Sequence, residues 1–132
     1  MGTNDRGYRI PTGVDKPEDE KCFYGGYLAM LRRIKKNYPT AKIVCATLPV
    51  GYKKDYENIP VSPENEQAAN DYNAVVRLAA KNCDCLLADV AKYGERYETL
   101  DFVHPTAKGH KTIASLWIKC LESLFFGERD DD

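Results

Sequence analysis

The chain has 132 residues, of which 43% are hydrophobic, and a formal net charge of −1. This composition suits one domain spanning residues 1–132, and the near-neutral charge gives no electrostatic basis for binding nucleic acid or an anionic membrane. No apolar run approaches the roughly 20 residues that a bilayer span requires. The five cysteines are an odd, scattered set, which is typical of buried thiols and not of a secreted disulfide framework.

The first long element predicted is a helix over residues 18–37, after a Gly- and Pro-rich loop. Its apolar residues recur at helical spacing, and Lys and Arg gather towards its end, where they complement the helix dipole. The stripe consists of Phe23, Tyr27, Leu28, Leu31 and Ile34. Pro39 stops the helix.

A strand is predicted next, over residues 42–49. This short apolar run ends at a proline and is typical of a strand buried on both faces of a parallel sheet. The polar loop over residues 52–60 follows the carboxyl end of that strand. Its length and position make it a candidate site-lining segment, although its tyrosines and lysines also suit plain surface.

The remaining pattern is helix, strand, helix. Ser62 and Pro63 mark a helix start, since serine caps and proline suits the first turn. A stripe follows at Ala69, Tyr72, Val76 and Ala80, and then a second buried strand over residues 83–90. The last helix begins near Pro105, and we expect its interior face to contain Ile113, Ala114, Trp117, Leu121 and Leu124, together with His110 as a hydrogen-bonded histidine.

Alternation of strand and helix favours an α/β fold with a parallel sheet flanked by helices. Only two full strands are visible. Parallel strands need both faces covered and their edges paired, so two strands leave an edge exposed unless something docks there. We therefore expect the chain to behave as the back half of a larger fold.

The motif Asp101-x-x-His104-Pro105 carries the first candidate chemistry. Proline disfavours helical geometry at the preceding residue, so His104 should lie in the turn before the last helix. A carboxylate three residues back can accept a hydrogen bond from one imidazole nitrogen and leave the other free as a base. The alternative is a carboxylate that merely closes a turn beside a surface histidine.

The second motif, Gly2-Thr3-Asn4-Asp5, is expected to form a turn at the end of a strand, where glycine permits the tight backbone. In this order, Gly-x-Asn-Asp and Asp-x-x-His-Pro resemble the third and fifth sequence blocks of the SGNH (GDSL-type) hydrolases, a family of esterases, lipases and carbohydrate deacetylases. The pair Gly109-His110 extends the match to the last block. The resemblance covers essentially the whole chain.

The resemblance implies a three-layer, flavodoxin-like α/β sandwich of the SGNH type, truncated to its C-terminal half. It implies His104 and Asp101 as catalytic residues and Asn4, aimed by Gly2, as an oxyanion donor, a task that suits a neutral amide. It implies no cofactor and no metal. The family's Gly-Asp-Ser block with the nucleophile, and its second block with a glycine donor, have no counterpart here.

No other residue is a clear substitute for the nucleophile. Ser62 is a predicted helix cap, and Ser115 and Ser123 lie within the last helix. Cys83 and Cys85 are one residue apart on a predicted strand, so their side chains should point to opposite faces and make poor joint metal ligands.

The sequence allows three functions, in decreasing order of support. The first is an SGNH-type acyl ester hydrolase, acting on a small-molecule ester once a serine block completes it, and inactive alone. The alternative is a non-catalytic fragment or assembly subunit. The third, a flavodoxin-like binding domain, would need a phosphate-cradling Gly-rich turn that is absent. The unpaired strand edge predicts a homodimer. The sequence leaves the cellular location and the ester open.

Overall fold

The computed structural model describes residues 2–127, except for the side chain of Asn4. The elements in chain order are α1 (Thr3–Gly7), α2 (Phe23–Asn37), β1 (Val44–Ala46), β2 (Gly51–Lys53), α3 (Pro63–Asn82), β3 (Leu86–Ala88), a 3₁₀ turn (Val90–Tyr93), β4 (Tyr97–Thr99) and α4 (Ala107–Phe126).

The strands form two parallel pairs. β1 pairs with β3, in a register that sets Cys45 opposite Leu87, and β2 pairs with β4, with Tyr52 opposite Glu98. The first pair confirms the two predicted strands and the parallel α/β class, although each strand is only three residues long. The second pair was not predicted. It lies partly within the segment assigned to a polar loop.

Helices cover both faces of the β1–β3 pair. Cys45 points into a core built mainly from α2 and α3, whereas Val44 and Ala46 face a second cluster with Leu116 and Cys120 of α4. Successive residues of a strand point to opposite faces, so β1 is apolar throughout because both of its faces are buried. The fold is therefore a mixed α/β arrangement of short parallel strands between helical layers.

The helix ends follow their capping residues. Ser62 Oγ accepts a hydrogen bond from the Asn65 N–H at 3.2 Å, as predicted, and Thr106 caps α4 by accepting from the Gly109 N–H at 3.2 Å. α2 begins at Phe23 and not at residue 18 as predicted. Residues 12–22 instead form turns, and the Phe23 N–H donates to the Pro11 carbonyl at 2.8 Å.

The carboxyl end of β1 is held by a side-chain amide. Asn73 of α3 accepts from the Leu48 N–H and donates to the Leu48 carbonyl, both at 2.9 Å, so the amide replaces a neighbouring strand there. Next to it, Thr47 Oγ1 donates to Asp89 at 2.8 Å, and Arg77 binds the same carboxylate through two nitrogens. These bonds fix the ends of β1 and β3, from which the site-lining loops leave.

The interior face of α4 matches the predicted one in part: Trp117 packs against the second cluster, and Ile113, Leu121 and Leu124 are half-buried. Gly109, Leu116 and Cys120 are its buried residues, whereas Ala114 and His110 are exposed. The expectation of an interior His110 is therefore wrong, because α4 turns the side of Gly109 towards β4 and the side of His110 towards solvent. None of the helices described between residues 2 and 127 is long and apolar enough to cross a bilayer.

Candidate active site

The structure brings Asp101 and His104 together in the loop after β4. Asp101 Oδ2 lies 2.6 Å from His104 Nδ1, while Oδ1 accepts the backbone N–H groups of Val103 at 3.0 Å and His104 at 2.8 Å. One carboxylate thus both closes the turn and binds the ring. Both side chains are exposed, which leaves the other imidazole nitrogen, Nε2, free to meet a reactant.

The protonation of this pair follows from the same bonds. The backbone N–H of His104, its ring and the N–H of Val103 all favour the ionised carboxylate and lower the pKa of Asp101 to about 2. An ionised carboxylate can only accept hydrogen bonds, so Nδ1 carries the proton and Nε2 of the neutral ring has a free lone pair. This is the tautomer that a general base requires.

A buried threonine fixes the position of this loop. Thr99 is fully buried; its Oγ1 donates to the Tyr52 carbonyl at 2.9 Å and accepts from the Phe102 N–H at 2.7 Å. The Leu100 N–H also donates to the His104 carbonyl at 2.9 Å, which closes the base of the loop. The His104 turn is therefore attached to the β2–β4 pair. Sequence reasoning missed Thr99, whose only signal is its place two residues before Asp101.

α4 approaches this loop closely because residue 109 is glycine. A Cβ at Gly109 would overlap the Glu98 carbonyl oxygen and lie 3.2 Å from Pro105 Cβ. The contact is reinforced by Thr106, whose hydroxyl donates to the Glu98 carboxylate at 2.8 Å. The Gly109 position in the sequence motif thus serves packing between helix and strand.

The Gly2-Thr3-Asn4-Asp5 motif is not the simple loop expected from the sequence. Gly2 is buried at φ 116°, a conformation that favours glycine, and Thr3 already begins α1. The Gly2 N–H donates to Asp5 Oδ2 at 3.2 Å, and a Cβ at Gly2 would lie 3.4 Å from Leu48. The backbone of Asn4 lies in α1. Its side chain lies outside the part of the chain that the structure describes, so its oxyanion role stays a prediction.

An open cleft of about 770 Å³ adjoins both motifs: Thr3 of the first motif lines it, whereas Asp101 and His104 are not among the lining residues. α1 contributes Thr3 and Arg6, and the His104 loop contributes Phe102 and Val103, the two residues immediately before the histidine. Further lining residues come from Arg9, residues 50–51, Tyr56, the segment 59–62, the first turns of α3 and Arg96. The prediction that the loop over residues 52–60 lines a site is consistent with this placement, although its first residues form β2.

The serines of the sequence show no sign of activation. Ser62 lies on the cleft rim, but its hydroxyl caps α3. Ser115 and Ser123 lie in α4, which contributes no residue to the cleft lining.

The cysteines are no better as nucleophiles. All five are free thiols, and burial raises the pKa of Cys45 to about 11. Cys83 caps the end of α3 and Cys85 precedes β3, so the expectation that both lie on a strand is wrong; both are half-buried against the core formed by α2 and α3. Across residues 2–127, three or more potential metal-ligating side chains of His, Cys, Asp or Glu do not cluster.

The site thus combines an exposed imidazole, oriented by an ionised carboxylate, with an open cleft that the two residues preceding the histidine help to line. A model of the GDSL-like lipase/acylhydrolase family matches residues 1–112, so the chain belongs to that family. The match includes both motifs. Among curated proteins and solved structures, none matches this chain significantly.

Proposed function

We propose that this chain supplies the histidine–aspartate part of an acyl ester hydrolase site. His104 Nε2 is the general base that takes the proton from an attacking hydroxyl and returns it to the leaving alcohol, and Asp101 holds the ring in the required tautomer. The observation that carries the proposal is the 2.6 Å contact between Asp101 Oδ2 and His104 Nδ1, beside a cleft large enough for a small ester.

The part of the cleft that α1 lines is assigned the electrostatic role. In acyl transfer the carbonyl oxygen becomes an oxyanion. A neutral amide donor binds this charged oxygen more strongly than the uncharged carbonyl oxygen of the ground state. Asn4 is the proposed donor, and Gly2 provides the backbone turn that precedes it. Support comes from the family match over residues 1–112 and from α1 and the His104 loop sharing one cleft.

The nucleophile is assigned to a Gly-Asp-Ser segment that these residues do not contain. Such a segment, in the same polypeptide or in another chain, would complete the site. The chain alone is then expected to show no saturable, His104-dependent hydrolysis of p-nitrophenyl acetate, because removal of the nucleophile leaves only a small remainder of the catalysis. His104-dependent turnover by the chain alone would contradict this assignment.

Labelling with a fluorophosphonate tests the reaction class directly, since this reagent modifies only serines that a base has activated. The product extended to include an upstream Gly-Asp-Ser segment should be labelled at that serine, and the His104→Ala variant of the same product should not. Labelling at Ser62 would instead make the cleft-rim serine the nucleophile. His110→Ala is the matched control, because His110 is an exposed histidine on α4.

The second candidate is a non-catalytic subunit with the same fold. It is favoured by the exposure of the His104 and Asp101 side chains and by the absence of an activated serine among the described residues. If the extended product, or the chain mixed with a separate Gly-Asp-Ser segment, remains folded and yet is not labelled by the fluorophosphonate, that result supports the non-catalytic subunit over the hydrolase.

A further inference from the structure

Two chemically different groups of side chains line the cleft, and we name each of them a wall. The apolar wall consists of Tyr56, Ile59, Phe102 and Val103, and all four of these side chains are exposed. The arginine wall consists of Arg6, Arg9 and Arg96. Large exposed apolar side chains gathered at one cleft are typical of a binding surface.

The arginine wall makes the cleft electropositive. Three arginines and one carboxylate, Glu64, line it, although the chain as a whole has a formal net charge of −1. Charges of one sign lining a cleft focus the field and concentrate ligands of the opposite sign. The positive charge is therefore a local property of this cleft and not of the protein surface in general.

Two of the three arginines are available to a ligand. Arg96 is engaged in part, since its Nη1 donates to the Ile59 carbonyl at 3.0 Å and its guanidinium lies over the Tyr52 ring, while its Nε is buried and has no partner among the described residues. Arg6 and Arg9, in contrast, form no ion pair with any other residue described between 2 and 127. Arg96 thus shapes the wall, while Arg6 and Arg9 have guanidinium donors to offer.

The backbone that carries these two arginines is held in place. Tyr72 of α3 hydrogen-bonds through its hydroxyl to the Ile10 carbonyl and lies 3.3 Å from the Asp5 carbonyl. Arg9 has φ 57°, in the left-handed region where a helix usually ends with glycine or asparagine. Arg9 therefore occupies a position whose backbone conformation favours glycine or asparagine, and its side chain lines the cleft.

We propose that the cleft binds an ester carrying a negatively charged group, with the anion on Arg6 and Arg9 and the apolar part against Phe102 and Val103. Guanidinium groups bind carboxylate and phosphate oxygens through paired hydrogen bonds, and both anions fit this chemistry. Because Phe102 and Val103 directly precede His104, this orientation brings the apolar side of the ester towards the base. The assignment of the ligand as a substrate rests on the proposed hydrolase function; the binding itself does not.

Ligand titration of the full chain, followed by amide NMR shifts, tests the binding without requiring turnover. The probes are monohexyl succinate, the neutral hexyl methyl succinate of nearly the same shape, and hexyl phosphate. The monoanion should bind about tenfold more tightly than the neutral diester, and higher ionic strength should reduce that difference. Shifts should centre on Val50, Gly51, Phe102 and Val103.

Substitutions locate the anion. Arg6→Gln and Arg9→Gln should each weaken monohexyl succinate binding about threefold and leave hexyl methyl succinate unchanged, as expected for a partly exposed ion pair. Arg33→Gln, an exposed arginine on α2 outside the cleft, is the matched control and should change neither. Equal affinity for the two succinates, or an equal effect of Arg33→Gln, would overturn the proposal.

The two anions are then separated by comparing monohexyl succinate with hexyl phosphate. Preference for either one, lost in the Arg6→Gln and Arg9→Gln variants, supports an anionic ligand and identifies its charged group. Failure of both to bind overturns the proposal, even if the hydrolase assignment holds. Conversely, if the chain proves to be non-catalytic but still binds the anion, the proposed ligand class holds and only the hydrolase assignment fails.

Discussion

Gly109→Ala should destabilise the protein through one contact at the base of the His104 loop. α4 lies so close to β4 that an added Cβ would overlap the Glu98 carbonyl oxygen and press on Pro105 Cβ at 3.2 Å. The overlapped atom belongs to the backbone of a paired strand, so no side-chain rotation relieves the clash. α4 must move away from β4, and Thr106, which binds Glu98, must move with it.

The magnitude follows from two opposing effects. Alanine is the better helix former by about 1 kcal/mol. Overpacking against an unyielding contact costs about 3 kcal/mol. The net loss is then about 2 kcal/mol, and at about 4 °C per kcal/mol for a domain of this size the Tm should fall by about 8 °C.

Thermal and urea unfolding by circular dichroism measure this change. Ala114→Gly, at an exposed position of the same helix, calibrates the helix-propensity contribution and should cost about 1 kcal/mol. Gly7→Ala is the second control, since a Cβ at Gly7 would meet nothing within 4 Å. A Gly109→Ala variant that is as stable as the parent, or more stable, would refute the close contact between α4 and β4.

Three further predictions concern other parts of the molecule. Asn73→Ala should cost about 2 kcal/mol, because both backbone groups of Leu48 lose their partner, whereas Asn70→Ala on the exposed side of α3 should be nearly neutral in urea unfolding. The Asp101 carboxyl should titrate near pH 2 by carbon NMR; its contribution to stability is therefore present above pH 4 and lost as the pH falls towards 2, and His104→Ala should raise its pKa. We further propose a homodimer through the β1–β3 pair, since β1 pairs only with β3 within residues 2–127; light scattering that shows a monomer at every concentration would reject it.

The large elements of the fold could be predicted from the sequence because their apolar residues recur with a regular spacing. α2, α3 and α4 are long enough for an apolar stripe to recur several times, and β1 is apolar on both faces. The β2–β4 pair carries no such signal. Its strands are Gly51–Lys53 and Tyr97–Thr99. They are stabilised by pairing with each other across a long stretch of chain, and not by their local sequence.

The candidate site likewise has one part that could be predicted from the sequence and one part that could not. The Asp101–His104 contact could be predicted because both partners lie within one turn and a proline fixes the geometry. The arginine wall could not, since it brings Arg6 and Arg9 near Arg96 through tertiary folding alone. His110 was misplaced because an error of one position in the phase of a helical stripe moves a residue by about 100° around the axis.

The hydroxyl of Thr99 has a consequence for how this protein can diverge in evolution. It ties the Tyr52 carbonyl to the Phe102 N–H, and the Lys54 N–H returns to the Thr99 carbonyl at 2.9 Å. The segment from 55 to 61 therefore begins directly after an anchored strand. Insertions or deletions there can alter the apolar wall while the Asp101–His104 pair keeps its position, so the lining of the cleft and the histidine loop are free to diverge separately.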